Sequence, residues 1–412
     1  MKNLRLICLL PALLLLFAGC SSTKNEESDT MNNHSAGLQP IDIRSPGFFG
    51  VLHPWKEGTL ATIDGWGRFA EISFTGADRM RIKPLVNFPR TELDRRLITW
   101  PEAGLIASTS GKMHHLAAVD DNKTISHAPL LSWVHREREP VLLDSREGLV
   151  AYGYSLKQND NDTDTRLFIY NYKENRMVYE SPESGFSIVP SFMMDDHNIL
   201  SWKRILDGNV KRSINVFYNW RTNQVWENDL TEAVNKNDID LLVYPHFNIH
   251  PVNRYMFGYS GLHNDDFKVS WDEDYSGVKI TPLSYLRPAE RILLLHLIFS
   301  ANGQWAATFA SGYRGLNNKR LEKRAFLHFD ERYPGGISMP VVTEEYEDYQ
   351  WDYSAFVNHP VHGMCFAHEL RKKEGLRERL YLRLYKMDDV LAEINRKLAE
   401  EADEALNGDS AR

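Results

Sequence analysis

His246 and His296 occupy the same place in two copies of a repeated pattern, four residues before its turn. Neutral imidazole binds divalent metals well, and two such ligands on rigid neighbouring strands begin a site that a carboxylate or amide must complete. The alternative is a pair of hydrogen-bonded histidines in a polar funnel, and residue type leaves both readings open. His359, His362 and His368-Glu369 have the ligand types of a zinc site but not its spacing. His53, His250 and His359 each precede a proline, which reads as turn chemistry rather than ligation. The run Asn159-Asp-Asn-Asp-Thr-Asp-Thr165 alternates carboxylates as calcium loops do. Counted from Asp160, it has Thr165 where a calcium loop needs Gly and Asn171 where it needs Glu. A solvated hairpin is the competing reading.

Basic residues form three further groups, each between the second and third expected strands of a repeat. They are Lys203, Arg204, Lys211 and Arg212; Arg314, Lys319, Arg320, Lys323 and Arg324; and Arg371, Lys372, Lys373, Arg377 and Arg379. On a chain of net charge −8, a single basic face would focus an anionic ligand such as an acidic sugar, a lipid phosphate or an acidic protein. Arg204, Arg212, Arg320, Arg324, Arg371 and Lys372 are the candidate ligand-binding set. Glu322, Glu374 and Glu378 are interleaved with them, so solvated loops are the alternative. No long basic stripe suggests nucleic acid. The sequence contains no Gly-x-Ser-x-Gly, His-Glu-x-x-His, phosphate loop or Cys-x-x-Cys, so no familiar hydrolase or redox signature names a reaction.

The elements that would position these residues recur along the chain. A turn position falls at His53, Trp100, Asp144, Asp195, His250, Ser300 and His359, at intervals of 44 to 59 residues. Three residues before it stand Leu97, Val141, Phe192, Phe247, Leu297 and Phe356; five after it stand Leu105, Leu149, Leu200, Tyr255, Trp305 and Met364. Later in each copy a β-rich run ends in an Asp or Asn turn, as in Leu167-Phe-Ile-Tyr-Asn171 and Ile214-Asn-Val-Phe-Tyr-Asn219. A period near 50 with about four short strands per unit selects a propeller. The expected fold is all-β: a seven-bladed β-propeller of four-stranded antiparallel blades over residues 46–387. A short amphipathic helix and tail follow over 388–412, with Val390, Leu391, Ile394, Leu398 and Ala402 on one side and a stop at Asn407-Gly408. Residues Leu38 to Phe48 are expected to add a strand to the last sheet.

Phe299-Ser-Ala-Asn-Gly-Gln-Trp305 and Pro190-Ser-Phe-Met-Met-Asp-Asp196 resemble the repeat of TolB-like propellers, which are similar to WD-repeat propellers. The resemblance implies fold rather than activity. His-Pro turns followed by Cys365-Phe-Ala-His-Glu369 resemble segments of the oligogalacturonide lyase propellers. That resemblance implies a histidine-held metal and cleavage of an acidic glycan.

Residues 1–19 read as a signal peptide, with Lys2 and Arg5 before the apolar run Leu6 to Phe17. Phe17-Ala-Gly-Cys20 resembles a bacterial lipobox, which implies acylation of Cys20 and a membrane anchor. Ser21, in place of Asp, favours the outer membrane of a two-membrane host. Residues 20–45 read as the acylated cysteine and a polar tether. Cys365 is then the one cysteine left in the folded part, and reads as a small core residue. The expectation is a lipid-anchored envelope propeller that binds a protein or anionic ligand. The alternative is a metal-assisted lyase or hydrolase acting on an acidic oligosaccharide, with a divalent metal as its cofactor.

Overall fold

The structure is a computed structural model that describes residues 38–47, 50–63, 68–87, 96–110, 113–119, 123–126, 134–137, 141–144, 146–159, 162–180, 187–189, 194–195, 199–206, 212–232, 235, 239–240, 255–260, 266–282, 297–314, 320–329, 337–346, 354–374 and 377–409. Within these, the chain opens with β1 (Ile41–Arg44). A first sheet is a meander of β2 (Val51–Pro54), β3 (Thr59–Ile63), β4 (Arg68–Gly76) and β5 (Arg79–Asn87). A second repeats it with β6 (Arg96–Trp100), β7 (Leu105–Ser110), β8 (Met113–Ala118) and β9 (Lys123–Ser126).

A ten-stranded sheet follows. Its first half is β10 (Val134–Glu137), β11 (Val141–Asp144), β12 (Leu149–Asn159), β13 (Asp162–Asn171) and β14 (Arg176–Glu180). Its second half is β15 (Ser187–Val189), β16 (Met194–Asp195), β17 (Ile199–Leu206), β18 (Arg212–Asn219) and β19 (Gln224–Asp229). In each half two short segments pair in succession with one long strand: β10 and β11 with β12, then β15 and β16 with β17. The halves join through a single residue pair, Asp164 opposite Ser187.

Two more four-stranded meanders come next: β20 (Ile239–Asp240), β21 (Tyr255–Ser260), β22 (Asp266–Trp271) and β23 (Val278–Pro282), then β24 (Leu297–Phe299), β25 (Trp305–Arg314), β26 (Arg320–His328) and β27 (Ile337–Tyr346). The last sheet takes β28 (Ser354–His359), β29 (Gly363–Glu374) and β30 (Arg377–Lys386), and β1 from the other end of the chain is its fourth strand. One helix, α1 (Met387–Asp409), closes the described chain. It runs through Asn407-Gly408, where the sequence suggested a stop.

The repeat position marks real geometry. In every copy that falls among the described residues it lies within one residue of the end of the first strand of a hairpin. Gly58, Gly104, Gly148, Gly303 and Gly363 sit three to five residues later, all with positive φ. At Gly148 (φ 80°) a Cβ would also stand 2.7 Å from the Lys173 side chain, so both conformation and space require glycine.

Apolar alternation then packs neighbouring sheets together. Val51, Ala61 and Phe69 of the first sheet meet Ile106 of the second. Phe217 of the ten-stranded sheet meets Trp271 and Tyr275; Tyr255 meets Leu297, Ala306 and Leu327. Phe326 packs edge-on against Phe366 at 5.2 Å between centroids. Leu52, Leu60 and Ile72 of the first sheet meet Val357, Leu382 and Leu384 of the last. The first strands β2, β6, β24 and β28 lie beside their neighbours' first strands. The inner strand β28 is buried on both faces, while the outer strand β14 half-buries alternate residues.

Helix α1 covers the seam between the last two sheets, with Met387, Val390 and Ile394 buried against Trp305, Phe326 and Tyr385. Leu391 and Leu398 complete that face, so this much of its apolar stripe is used within the chain. Asp388 and Asp389 lie in its first turn, where carboxylates suit the helix dipole.

Strand β1 is held in two ways. Ile43 is 1% exposed in the core cluster and stands opposite Leu382. Asp42 stands opposite Arg383, which donates from Nε at 2.6 Å and from Nη2 at 2.8 Å to its two carboxylate oxygens. Both side chains are largely buried (15% and 21% exposed), so solvent screens the pair weakly. Replacing Asp42 with Ala should lower the urea-unfolding free energy by about 2 kcal/mol, since two charged hydrogen bonds to a partly buried guanidinium are lost. A double-mutant cycle with Arg383→Ala checks this; additive losses would contradict the coupling.

Candidate functional site

The six candidate basic residues lie on strands, where the sequence suggested loops. Arg204 is on β17 and Arg212 on β18; Arg320 and Arg324 are on β26; Arg371 and Lys372 are on β29. All but Arg324, which is at the middle of β26, occupy the part of the middle hairpin nearest its tip. The middle strands extend past the hairpin stems, so ladder bonds continue where charge had suggested solvated connections. Arg204 stands opposite Ile214, Arg212 opposite Leu206, and Arg324 between Phe309 and Val341. Arg320 stands opposite Arg314, and Lys372 opposite Arg379. Closer to the tip of the last hairpin the pairs have opposite charge, Lys373 with Glu378 and Glu374 with Arg377.

The candidate metal ligands His246 and His296 lie outside the described residues, as do the lipidation candidate Cys20 and His250. His53, His359 and His368 take packing roles. His53 is on β2, and Thr99 of β6 donates to the Pro54 carbonyl at 2.6 Å. With that hydroxyl proton committed, the 2.7 Å contact between Thr99 Oγ1 and His53 Nδ1 requires the imidazole to donate. Burial lowers the His53 pKa, with the Pro54 contact opposing it. His53 thus ties the first sheet to the second, a role its position before proline did not reveal.

His359 is 2% exposed at the end of β28. Its Nδ1 accepts from the backbone N–H of Val361 (3.1 Å) and His362 (3.2 Å), which holds the hairpin turn and puts the ring proton on Nε2. The ring stacks on His362 at 4.6 Å and lies 4.4 Å from Phe74 of the first sheet. Burial, and then the neighbouring His362, lower its pKa to about 4. His368 is buried mid-strand and stacked on Tyr385. His359 pairs with Gly363 and His368 with Ser354, at opposite ends of one ladder. Five strand steps separate them, roughly 17 Å at strand rise, so they do not share a ligand.

Cys365 is fully buried, and burial pushes its thiol up to about 12, which leaves it an inert core residue. Of the acidic run, Asp160 and Asn161 lie outside the described residues, while Asp162 and Asp164 fall on β13, with Asn159 opposite Asp162 and Leu156 opposite Asp164. Among the described residues no group of three His, Cys, Asp or Glu side chains could hold a metal.

No protein-family pattern matches the chain, and a search of curated proteins finds no match. Among solved structures, an oligogalacturonate lyase in complex with manganese has a TM-score of 0.52 at 9% identity, over 85% of this chain and 97% of that one. The dipeptidyl peptidase 4 of Porphyromonas gingivalis gives 0.42 at 11% identity, over 84% and 54%. The WD40 domain from Toxoplasma gondii coronin gives 0.39 at 9%, over 85% of each chain. The first likeness establishes a propeller-like fold and, at that identity, fold alone.

His359 carries a prediction about acid stability. Its folded pKa, about 4, lies below the ordinary 6.5, so on acidification the unfolded chain takes up the proton first. This contribution to stability is whole above pH 6.5 and is lost as pH falls towards 4. His359→Asn keeps a turn acceptor and removes the titration. Urea midpoints measured between pH 7 and 4 should fall less steeply in that variant; identical slopes would contradict the assignment.

Proposed function

We propose that this chain is a seven-bladed propeller, anchored to an envelope membrane through an acylated Cys20, that binds a protein or anionic ligand on its basic end. The two halves of the ten-stranded sheet count as separate blades in this reading. Each half has an inner strand in two segments followed by three full strands, and one residue pair joins them. The observation that carries the binding reading is the placement of Arg204, Arg212, Arg320, Arg371 and Lys372 towards the tips of three middle hairpins, with Arg324 at mid-strand on one of them. In a propeller these tips share one end of the ring, so residues separated by up to 168 positions converge. A convergent basic end on a chain of net charge −8 attracts anions against its average field.

The tether and anchor fit the same arrangement. Strand β1 runs from Ile41 opposite Leu384 to Arg44 opposite Tyr381, so the chain enters the last sheet from the end away from the basic tips. A membrane-anchored tether would then leave the basic end facing the aqueous space. Binding of full-length protein to fluorescent polyglutamate should weaken steeply as salt rises. Arg320→Glu with Arg324→Glu should cost roughly tenfold in affinity at low salt, with unchanged thermal unfolding. Affinity indifferent to ionic strength and to both reversals would contradict the basic-end reading, and an unmodified Cys20 in the mass spectrum of the exported protein would remove the anchor.

A further inference from the structure

The outer strand of the first sheet carries three cations outside the basic end. Along β5, Met80 is buried and Ile82 packs on the core shared by the first and last sheets. Arg79, Arg81 and Lys83 alternate with them, so they share the other face of the strand, and all three are exposed. Successive cations on that face stand about 7 Å apart at strand rise. Asp78 comes within 3.9 Å of Arg79, but the two side chains are 77% and 81% exposed, so solvent leaves the pair weak. Arg81 stands opposite Ser73 and Lys83 opposite Glu71. Among the described residues neither Arg81 nor Lys83 forms an ion pair.

Strand β5 is an edge of its sheet, and proteins blunt such edges with charge, proline or a bulge. Pro84 and two register shifts against β4, between Phe69 and Ala70 and between Phe74 and Gly76, already blunt this one. Charge of either sign would add to that protection, so three cations of one sign call for a partner. Their position supplies it. Strand β1 lies against β5, and Ile41, its first residue, packs on the same core as Ile82. The cations therefore flank the place where the N-terminal part of the chain joins the fold. In the anchored reading above, that part is the tether from Cys20, and the surface within reach of β5 is the bilayer.

We infer that Arg79, Arg81 and Lys83 form a second, electrostatic contact with the membrane, through the anionic headgroups of its lipids. The inference rests on the anchor reading above and deepens it. Acyl chains hold a protein near the bilayer, while a basic patch beside them adds affinity and selects which flank of the ring turns to the lipid. Each cation close to an anionic surface raises partition by about fivefold, and the attraction fades within a Debye length. Guanidinium groups also match phosphate geometry through paired donors. On a chain of net charge −8 the rest of the surface gains nothing from anionic lipid, so the stripe has an orienting effect that uniform charge would not.

The test uses the full-length chain with Cys20→Ala, which removes the acylation site so that partition can be measured, and vesicles of phosphatidylcholine alone or mixed with phosphatidylglycerol. At low salt the anionic lipid should raise partition by on the order of tenfold or more, and the gain should vanish as ionic strength rises. Arg79→Glu with Arg81→Glu should abolish the gain and leave partition into phosphatidylcholine and thermal unfolding unchanged, since neither arginine faces a carboxylate across the ladder. Lys83→Gln should lower it by about fivefold. Lys279→Glu, at an exposed cation on the outer strand β23, should leave it unchanged. A stripe that only protects the edge predicts no effect of the double reversal, because glutamate blunts an edge as well as arginine does. Equal partition into both lipids, or a gain that the double reversal leaves intact, overturns the membrane contact; acylated Cys20 in the mass spectrum of the exported protein would still uphold the anchor. A stripe-dependent gain with Cys20 unmodified removes the anchor and keeps the lipid contact. Polyglutamate binding that the double reversal abolishes, with no gain on anionic vesicles, assigns the stripe to an acidic protein and overturns the proposal. The comparison of the two lipids with the stripe unaltered can overturn it even if a variant does not fold.

Discussion

A four-stranded antiparallel sheet has two faces and can cover neither by itself. Among the described residues the sheets solve this by leaning on neighbours, and the last leans on the first. That requirement makes the joining of the chain's two ends the constraint on which the other contacts depend. The last sheet receives three strands from the C-terminal part and its fourth from β1. Ile43 supplies the apolar half of the join, and the Asp42–Arg383 pair fixes its register. A slip of one residue would expose Ile43 and separate the two charges, so burial and ion pairing select the same alignment.

Much of this was legible in the sequence, for physical reasons. The turn positions could be read because the hairpin turn needs a residue of positive φ within a few places, and glycine supplies it. The Asn turns could be read because Asn171 and Asn219 each accept two backbone N–H groups with Oδ1, a local interaction independent of the rest of the chain. The closing strand could be read because the last repeat ran out of strands. The basic segments were misread as loops because charge resembles solvation. On strands that extend beyond the stem, Lys and Arg sit in a hydrogen-bonded ladder without needing an apolar partner.

The candidate site was legible only in outline. Sequence pointed to three basic groups, but opposition of Arg314 to Arg320 and of Lys372 to Arg379 depends on ladder register. Register follows from where each hairpin turns, and basic charge alone does not mark that place. The histidines show the converse. Proline after His53 and His359 signalled a turn correctly, while their burial at the seams between sheets, beside Thr99 and Phe74, depended on residues far away in sequence. Repeat position gave each of them a place along its own hairpin, and only the neighbouring sheet gave them a role.

A disulfide across the join is the most direct test that the two ends of one chain share a sheet. Arg44 and Tyr381 stand directly opposite in the ladder, where Cα separations of about 4.5–5.5 Å suit a disulfide. Cys365 is buried away from such chemistry. In a variant with cysteine at both positions, mild oxidation should produce an intramolecular bond in monomeric protein, seen as a reducible change in gel mobility and a loss of two free thiols. Thiols that stay free in the folded protein, or that link only separate chains, would contradict the closure on which this account rests.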